Sequence, residues 1–313
     1  MSERITTPFG AESTATEVIA GVDLTGKHAI VTGGGAGLGE ETARTLALAG
    51  AEVTIAVRNL EAGQKAAERI SASTNNSKVS ATELDLADQP SVKAFVASWR
   101  GPLDILVDNA GVMASPETRT AEGWEIQFAT NHLGHFALTV GLHDALAAAG
   151  HARVVVVSSV GHVNGPVRFD DLDFTRDPYD PWLAYAQSKT ANILFAVEAA
   201  RRWEKDGIAV NALNPGRIWN TNLGRYIETP PQAFDPKGST GVSEKTVEQG
   251  AATSVLLAAS PLVEGVTGKY FEDCEEAVPF RDGIRRGVKD YALDPENARR
   301  LWAVSVERTG VDA

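Results

Sequence analysis

His28-Ala-Ile-Val-Thr32 runs directly into Gly33-Gly-Gly-Ala-Gly37-Leu-Gly39, and helix-forming residues follow from Glu40 to Ala49. A short β-branched run, a glycine turn and a helix, in that order, are the context of a phosphate-binding loop. Glycines let the backbone turn tightly and approach a pyrophosphate, whose negative charge is favourable at a helix N-terminus. A glycine hairpin is the alternative, but it would lead into a strand. The segment therefore predicts nucleotide binding, with the spacing Thr-Gly-x-x-x-Gly-x-Gly.

The strand predicted next, 52–57, ends at Arg58. An acid about 20 residues beyond such glycines bonds the ribose 2′-hydroxyl of NAD, whereas an arginine accommodates the 2′-phosphate of NADP. Arg58 lies 25 positions after Gly33 (58 − 33), and no acid stands at the strand end. NADP(H) is therefore favoured over NAD(H). The alternative is an arginine that only ends a strand in water.

Tyr185 and Lys189 stand four residues apart in a segment that predicts a helix over 182–205. Residues at i and i+4 share a helix face, so the ammonium can lie beside the phenol. A unit charge at ~4 Å in an effective dielectric of ~20 is worth about 4 kcal/mol, or roughly 3 pKa units at most. Lys189 is therefore expected to lower the pKa of Tyr185 toward neutrality, where general acid–base catalysis is efficient. A solvent-exposed amphipathic pair is the alternative.

Composition narrows the classes of protein to which the chain can belong. The 313 residues, 43% of them hydrophobic, predict a globular chain with a sizeable core. A net charge of −12 argues against nucleic-acid or anionic-membrane binding, and no apolar stretch approaches the ~20 residues of a membrane span. Cys274 is the single cysteine, which excludes an intrachain disulfide and a cysteine-based zinc cluster. Without a signal-peptide pattern, a cytoplasmic location is expected.

Strand-like and helix-like segments alternate along the chain to about residue 272. Runs such as 154–157 are apolar throughout, as expected of parallel strands that are covered on both faces. The alternation predicts an α/β fold, a Rossmann-type doubly wound and mainly parallel sheet of seven strands with helices on both faces. The predicted strands are 27–33, 52–57, 78–84, 103–108, 152–158, 207–213 and 268–272, and the helices 37–49, 60–73, 88–100, 121–149, 182–205 and 247–259.

The predicted domain organisation is an N-terminal extension over 1–24 and a single nucleotide-binding domain over 25–313. Two loops rich in Pro, Gly and Asp, near 159–182 and 217–245, interrupt the alternation. Long loops in such folds are usually functional, and ligands bind outside the carboxyl ends of the strands. We therefore expect these two loops to hold the substrate.

Further motifs follow the predicted strands in one order. They are Asp85, Asp108-Asn-Ala-Gly111, Asn131, Ser158-Ser159, Tyr185 with Lys189, and Asn214-Pro-Gly216. Over roughly 25–275 the chain resembles the short-chain dehydrogenase/reductase family. Within that family it is most similar to the retinol-dehydrogenase-like and WW-domain-oxidoreductase-like reductases, on cues such as Asn131-His132-Leu-Gly-His135-Phe and Gly268-Lys-Tyr-Phe271.

The resemblance implies a catalytic group and a mechanism. Ser159 matches the serine that hydrogen-bonds the substrate oxygen, and Tyr185 matches the general acid/base. Lys189 matches the lysine that holds the nicotinamide ribose and lowers the pKa of the tyrosine, and Asn131 matches the asparagine that supports a proton-relay water. The implied reaction is hydride transfer between NADP(H) and a carbonyl or alcohol. Cofactor contacts are expected from Gly33, Gly35, Gly37, Leu38, Gly39, Arg58, Asn59, Asp85, Leu86, Asn109, Ala110, Gly111, Tyr185, Lys189, Pro215, Gly216, Ile218 and Thr221.

Three positions depart from the family pattern. Asp108 replaces the usual first asparagine of Asn-Asn-Ala-Gly, so an amide donor is lost. Ala36 stands where a basic residue often precedes the second loop glycine, which leaves the NADP(H) preference dependent on Arg58. Asn220 occupies the place of a usual hydroxyl residue, and Thr221 follows one position later.

Other classes of protein fit the sequence less well. A serine hydrolase built on Ser159 and His162 lacks the nucleophile elbow, since Val157 and not Gly stands two positions earlier. A sugar-nucleotide epimerase shares the Tyr/Lys pair but usually has Gly-x-x-Gly-x-x-Gly, and Glu40 would hold the third glycine. An NADP-sensing binding protein would tend to lose the tyrosine or the lysine. A metal site is not expected, because the histidines at 132, 135 and 143 lie on one helix without a further ligand.

The substrate is less constrained than the chemistry. The two long loops offer His162, Trp182, Trp219 and Leu223, with Pro166 and Tyr226, and this apolar or aromatic set suits a lipophilic aldehyde, ketone or alcohol. Ordinary loop packing is the alternative for the tryptophans. The segment 280–313 is expected either to close the pocket or to form a subunit contact, so a homo-oligomer is compatible with the sequence.

Overall fold

The computed structural model describes residues 3–218, 221–227 and 244–312. The strands in these ranges are β1 (His28–Thr32), β2 (Glu52–Val57), β3 (Val79–Glu83), β4 (Ile105–Asp108), β5 (Ala152–Val157), β6 (Ile208–Asn214), β7 (Tyr270–Glu272) and β8 (Glu275–Glu276). They form one sheet in the order β3-β2-β1-β4-β5-β6-β7-β8. All neighbours are parallel except β7 and β8. The predicted doubly wound α/β fold is confirmed, with one strand more than the seven expected.

The helices connect the strands and lie close to their predicted positions. They are α1 (Ala15–Ile19), α2 (Gly37–Leu48), α3 (Leu60–Thr74), α4 (Gln89–Ser98), α5 (Ile126–Phe128), α6 (Gly134–Gly141), α7 (His143–Ala149), α8 (Pro181–Arg202), α9 (Val247–Gly250), α10 (Ala252–Ala259), α11 (Asp290–Leu293) and α12 (Pro295–Thr309). A π-helical turn, Ala129–Leu133, joins α5 to α6, and a 3₁₀ turn, Val160–Asn164, follows β5. The helix predicted over 121–149 is therefore interrupted. It also begins later, because Arg119 and Glu125 pair in an antiparallel bridge.

Local sequence explains where the long helices begin. The Asp180 and Asp294 side chains accept N–H groups at the starts of α8 and α12, and a proline follows each aspartate. A carboxylate at the N-cap satisfies otherwise unpaired donors, and proline at the first helical position loses no hydrogen bond. The starts of α8 and α12 are thus encoded next to them in the sequence.

The core lies on both faces of the sheet. Val154 and Val156 of β5 pack in one hydrophobic cluster, and Val155 and Val157 pack in the other. Alternate residues of a strand point to opposite faces, so an all-apolar strand requires helices on both sides. These four valines are at most 6% exposed. The sheet is therefore rigid where its carboxyl edge carries the site.

Both ends of the described chain are built onto this core. Ala15, Val18 and Ile19 of α1 are buried against α2 and α10. Before α1, the Ile5 carbonyl accepts a hydrogen bond from the Glu276 N–H of β8 at 2.9 Å. At the other end, α12 packs along α8. Residues outside the central α/β unit therefore contribute to the packing of its outer elements.

Candidate active site

The predicted site residues gather at the carboxyl edge of the sheet. Strand order reverses between β1 and β4, which is where ligands bind in open α/β sheets. The residues after β1, β4, β5 and β6 all emerge at this edge, because these four neighbouring strands are parallel. The sheet thus brings together motifs that lie up to 180 positions apart in the sequence (Gly216 against Ala36).

The glycine loop after β1 is closely packed and uses conformations that favour glycine. Gly33 and Gly37 have φ of +67° and +58°. A Cβ on Gly39, at the start of α2, would collide with the Gly33 carbonyl oxygen and lie 2.5 Å from Asn109 Nδ2. The loop therefore leads straight into the N-terminus of α2, as a phosphate cradle requires. These residues fit a dinucleotide pyrophosphate.

Thr32 fastens this loop to the residues after β4. Its Oγ1 accepts hydrogen bonds from the backbone N–H groups of Asn109 (2.9 Å) and Ala110 (3.0 Å). The Asn109 side chain donates in return to the Thr32 carbonyl at 2.8 Å. The Asn-Ala-Gly segment, whose residues are expected to contact the cofactor, is thereby held beside the glycine loop.

The remaining predicted cofactor contacts lie around this cradle. Leu38 and Ile218 both border Gly250, and the Thr221 methyl group would lie 3.4 Å from a Cβ on Gly37. Thr221 is thus brought to the loop despite its shifted place in the sequence. Pro215 and Gly216 follow β6, and Gly216 N–H donates to Asn214 Oδ1 at 3.2 Å. The cofactor contact expected of this turn stays a prediction.

Four further residues expected to contact the cofactor follow β2 and β3. Arg58 is exposed directly after β2. The Asn59 side chain caps α3 by accepting the Ala62 N–H at 2.9 Å. Asp85 Oδ1 accepts the Ala87 N–H, and Leu86 packs against Gly134. Of these four residues, Arg58 is therefore the one whose positively charged side chain is exposed to solvent and available to an anionic group.

Tyr185, Lys189 and Ser159 meet where β5 and α8 come together. Tyr185 and Lys189 are 4% and 3% exposed, and the Lys189 ammonium lies 5.8 Å from the centroid of the Tyr185 ring. A Cβ on Gly161 would lie 2.9 Å from the Tyr185 ring and 3.3 Å from Ser159 Oγ, so the Ser159 and Tyr185 side chains are neighbours. Lys189 Nζ donates to the Val157 carbonyl at 2.9 Å, which fixes its direction. The helical spacing therefore produces the predicted juxtaposition.

The prediction that the pKa of Tyr185 is lowered toward neutrality is wrong for the protein chain without a bound cofactor. Burial raises the pKa of Tyr185 to about 12, although the hydrogen bond from Ser159 opposes the rise. Burial also lowers the pKa of Lys189 to about 7. Removal from water disfavours the charged form of each group, and at this separation it outweighs their attraction. Both groups are therefore held toward their neutral forms.

Asn131 joins the helical layer to this group. It lies fully buried in the π-helical turn, where its Oδ1 accepts the Val112 N–H at 2.8 Å. Its Nδ2 donates to Val112 O and to Ser188 Oγ, both at 2.9 Å. A Cβ on Gly111 would lie 3.2 Å from Asn131 Oδ1 and 3.7 Å from Lys189 Nζ. Asn131, Gly111 and Lys189 are thus in one place, and π-helical turns often occur at functional sites.

Two buried polar residues near the site were not assigned roles from the sequence. His135 Nδ1 donates to the Asn131 carbonyl at 3.0 Å, and its Nε2 lies 2.9 Å from Thr32 Oγ1. Tyr270 of β7 is buried close enough to Tyr185 and Glu272 that their charges raise its pKa further, beyond the effect of burial. The Asn-His-Leu-Gly-His motif contains His135, but its link to Thr32 spans 103 positions and has no local signal.

Asp108 is the departure with the clearest physical consequence. Its side chain is fully buried at the end of β4, and Thr139 Oγ1 donates to Oδ2 at 2.8 Å. Oδ1 has no hydrogen-bond partner among the described residues. Burial raises the pKa of this carboxyl to about 8. Asp108 is therefore a neutral acid over much of the physiological range.

The predicted substrate residues divide into two groups. His162 is fully buried, with Nδ1 bonded to the Ser159 carbonyl and Nε2 to the Lys289 N–H, so the prediction that its side chain is available to a substrate is wrong. This engagement also disfavours a Ser159–His162 hydrolase pair. Trp182 and Leu223 are half-buried. Trp219 lies outside the described residues.

Three further properties of the described residues concern a metal site, a membrane-spanning helix and a cavity. Within residues 3–218, 221–227 and 244–312, three or more His, Cys, Asp or Glu side chains nowhere gather to hold a metal ion. No described helix is both long and apolar enough to cross a membrane. A cavity of about 1000 Å³ lies between α4, α6, the end of α8 and residues 310–312. It includes none of the residues expected to carry chemistry or to bind the cofactor.

Comparison with known proteins agrees with this geometry. The family model for short chain dehydrogenase matches residues 27–231. A probable oxidoreductase of Streptomyces antibioticus is 54% identical over 90% of this chain and 97% of its own length. Human retinol dehydrogenase 13 is 39% identical over 93% of this chain and 86% of its own length. The human WW domain-containing oxidoreductase is 38% identical over 95% of this chain and 71% of its own length.

Solved structures show the same fold. An uncharacterised protein from Mycobacterium Paratuberculosis has a TM-score of 0.74 and 34% identity, covering 96% of this chain and 98% of its own. A gluconate 5-dehydrogenase from Burkholderia cenocepacia, in complex with NADP and tartrate, has a TM-score of 0.63 and 25% identity. That match covers 80% of this chain and 95% of the other.

Proposed function

Because this chain belongs to the short-chain dehydrogenase family, we propose that it is an NADP(H)-dependent oxidoreductase acting on a carbonyl or alcohol group, with Tyr185 as general acid/base. The observation that carries the proposal is that Ser159 and Tyr185 lie together, both beside Gly161, with Lys189 one helical turn from Tyr185. These three groups lie at the carboxyl edge of the sheet, beside the glycine loop. The nicotinamide, when bound, would supply hydride to a carbonyl carbon or accept it from an alcohol.

The roles of the chain's own residues follow from their chemistry. Ser159 and Tyr185 would hydrogen-bond the substrate oxygen, and Tyr185 would give its phenolic proton to that oxygen as negative charge develops there. Lys189 would stabilise the phenolate that remains, since its ammonium is held on the same helix face. Proton transfer by a positioned side chain contributes roughly 10²- to 10⁴-fold to a rate. Asn131 would support the route by which the proton is replaced.

Replacing Tyr185 by phenylalanine tests this assignment directly. Tyr185→Phe removes the hydroxyl and keeps the ring, so turnover should fall by at least about 10²-fold while NADPH affinity stays largely unchanged. Oxidation of NADPH with a panel of aldehydes and ketones measures turnover, and fluorescence titration measures binding. The NADPH affinity of the same variant is the control for correct folding of the cofactor site. Ordinary activity in Tyr185→Phe would refute the proposal.

The same experiment separates the alternative functions. An NADP-sensing binding protein on this fold would bind NADPH tightly but oxidise none of it, and substitution of Tyr185 would change nothing measurable. An epimerase-like enzyme would return the nucleotide unchanged after each cycle, so net NADPH loss would not accumulate. Steady NADPH consumption that depends on Tyr185 favours the oxidoreductase over both.

The preference for NADP(H) over NAD(H) rests on Arg58. Its exposed guanidinium after β2 can form paired hydrogen bonds with a 2′-phosphate, which NAD(H) lacks. Arg58→Ala should therefore weaken NADPH binding by about tenfold, from the loss of a charge-assisted contact, and leave NADH binding unchanged. Titration with both nucleotides measures this, with the exposed Arg100→Ala as control. Equal losses for both nucleotides would assign Arg58 a merely structural role.

The substrate proposed is a lipophilic aldehyde, ketone or alcohol. The support is that Trp182 and Leu223, apolar residues of the two long loops, are half-buried, together with relatives named retinol dehydrogenase and WW domain-containing oxidoreductase. We further propose a cytoplasmic protein with one nucleotide-binding domain over 25–313, acting on a small molecule and compatible with a homo-oligomer. Light scattering after size exclusion measures the oligomeric state.

A further inference from the structure

The turn that follows Ser159 is fastened to the C-terminal segment through the His162 ring. Nδ1 donates to the Ser159 carbonyl at 2.7 Å, and Nε2 accepts the Lys289 backbone N–H at 3.3 Å. A carbonyl can only accept and an amide N–H can only donate, so the ring is neutral with its proton on Nδ1. The side chain is fully buried, and both of its nitrogens are used. His162 therefore links a catalytic residue to a segment about 130 positions away.

The backbone of the same turn is held from two sides. The His162 carbonyl accepts the Tyr291 hydroxyl at 2.6 Å and the Thr190 hydroxyl at 3.3 Å. Thr190 belongs to α8 and directly follows Lys189, whereas Tyr291 belongs to α11. A little further along, Arg285 donates to Asn164 Oδ1 at 3.0 Å. The Val160–Asn164 turn thus lies between the catalytic helix and residues 285–291.

We propose that His162 is a positioning residue that fixes Ser159 through its backbone carbonyl, and that residues 285–291 are part of the catalytic scaffold. The inference deepens the proposed function and depends on it. Ser159 must present its hydroxyl to Tyr185 and to the substrate oxygen, and its Oγ also accepts the Gly161 N–H at 3.0 Å. The hydroxyl direction thus depends on the backbone at 159–161, which His162 holds. Small misplacements of a catalytic group lower the rate more than they lower binding.

Three substitutions at His162 separate its two hydrogen bonds. His162→Asn places an amide near the Nδ1 position and keeps the bond to the Ser159 carbonyl. His162→Gln places its amide near the Nε2 position and keeps the contact with Lys289, and His162→Phe keeps the volume and loses both. We expect kcat to fall about tenfold in His162→Gln and His162→Phe, with little change in His162→Asn. The Kd for NADPH should stay the same in all three.

Two further variants complete the design. His143→Gln also removes a histidine hydrogen bond, to Asp206 Oδ2 at 3.0 Å, but far from the site, and should keep full activity. Tyr291→Phe removes one hydroxyl donor to the His162 carbonyl and should lower kcat with unchanged NADPH affinity. If the His162 variants fail to fold, Tyr291→Phe decides the question. Wild-type kcat in His162→Phe or in Tyr291→Phe, or equal losses in His162→Asn and His162→Phe, would overturn the proposal.

A readout without turnover distinguishes failure of this inference from failure of the proposed function. In His162→Phe, amide hydrogen exchange should accelerate at residues 161–165 and at Lys289, while β5 stays protected. If none of the tested carbonyl compounds supports NADPH oxidation by the wild-type protein, the proposed function fails. The hydrogen-exchange result then tests by itself whether His162 holds the 160–164 turn to Lys289. Unchanged exchange at both segments would show that His162 does not hold the turn.

Discussion

Tyr185 is made harder to ionise by the same burial that brings it next to Ser159. The pKa of the phenol rises to about 12, and the hydrogen bond from Ser159 is the contribution that opposes this rise. Ser159 would therefore act on the catalytic tyrosine as well as on the substrate oxygen. Holding charge on Lys189 is also costly, because burial lowers its pKa to about 7. The carbonyl of Val157 offsets part of this cost by accepting from the ammonium.

Asp108 predicts an unusual dependence of stability on pH. Its pKa is about 8 in the folded chain against 3.8 in the unfolded chain, so the folded state binds the extra proton between these values. The free energy of unfolding should then decrease as pH rises from about 4 to 8, by at most ~1.4 kcal/mol per pH unit from this group. Asp108→Asn removes the effect and keeps an acceptor for Thr139. Its melting temperature should exceed that of the wild type more at pH 8 than at pH 5.

Thermal denaturation at the two pH values measures this difference. Asp144→Asn, at a fully exposed carboxylate, is the control and should follow the wild type. Parallel curves for Asp108→Asn and wild type at both pH values would show that the Asp108 carboxyl is not the titrating group. The family pattern, with asparagine at this place, is consistent with the cost of burying an acid there.

Residue identities were predictable where a motif is local, and residue environments were not. The Tyr185–Lys189 spacing places both side chains on one helix face whatever surrounds them. Burial of that face depends on elements outside the helix: Gly161 of the Val160–Asn164 turn lies against the Tyr185 ring, and the end of β5 accepts a hydrogen bond from Lys189. The direction of the pKa shift at Tyr185 therefore needed the structure. His162 was misjudged for the same reason, since its partner Lys289 lies 127 positions away.

At the scale of elements, the glycine loop makes the sharpest prediction. A Cβ on Gly39 would meet the Gly33 carbonyl and Asn109 Nδ2, so Gly39→Ala must displace the loop or the Asn-Ala-Gly segment. NADPH binding should weaken by at least about tenfold, because backbone N–H groups of the cradle would move. Gly10→Ala is the matched control, since nothing lies within 4 Å of a Cβ there. Unchanged NADPH affinity in Gly39→Ala would remove the loop from the cofactor site.

The elements that the sequence did not predict are short or depend on tertiary contacts. β8 has only two residues, Glu275–Glu276, and pairs through a turn at Asp273 and Cys274 with positive φ at both. A two-residue turn of this kind normally carries Asn-Gly. Asp-Cys stands here instead, so the sequence contains no signal for the turn. The π-helical turn at Ala129–Leu133 is similar, because Asn131 is held there by Val112 and Ser188. The long apolar strands, by contrast, were readable from composition alone.

At the scale of the whole molecule, α12 is part of the core. Trp302 is 3% exposed and its ring packs against Phe136, Phe195 and Trp203. Trp302→Ala should lower the free energy of unfolding by about 3–5 kcal/mol, as expected for a large aromatic side chain lost from a packed interior. Urea denaturation measures this loss. Leu262→Ala, at a 51% exposed side chain, should change stability by less than about 0.5 kcal/mol.

A small loss in Trp302→Ala would mean that α12 is a dispensable addition to the fold. A large loss would place the C-terminal segment in the folding unit. The sequence left two roles open for residues 280–313, closing the pocket or forming a subunit contact. That choice then remains only for the residues of this segment that lie outside α12. Lys289 and Tyr291 already contact the turn that follows Ser159, through His162.

The contact between Ile5 and β8 bears on how the protein behaves at high concentration. An outermost strand with unpaired N–H and C=O groups is a template onto which another chain can add. The Ile5 carbonyl occupies the Glu276 donor, and Arg4 forms an ion pair with Glu275 on the same strand at 3.0 Å. Arg4 and Ile5 thus shield this edge of the sheet from intermolecular strand addition. A variant that lacks residues 1–6 would be more prone to aggregate.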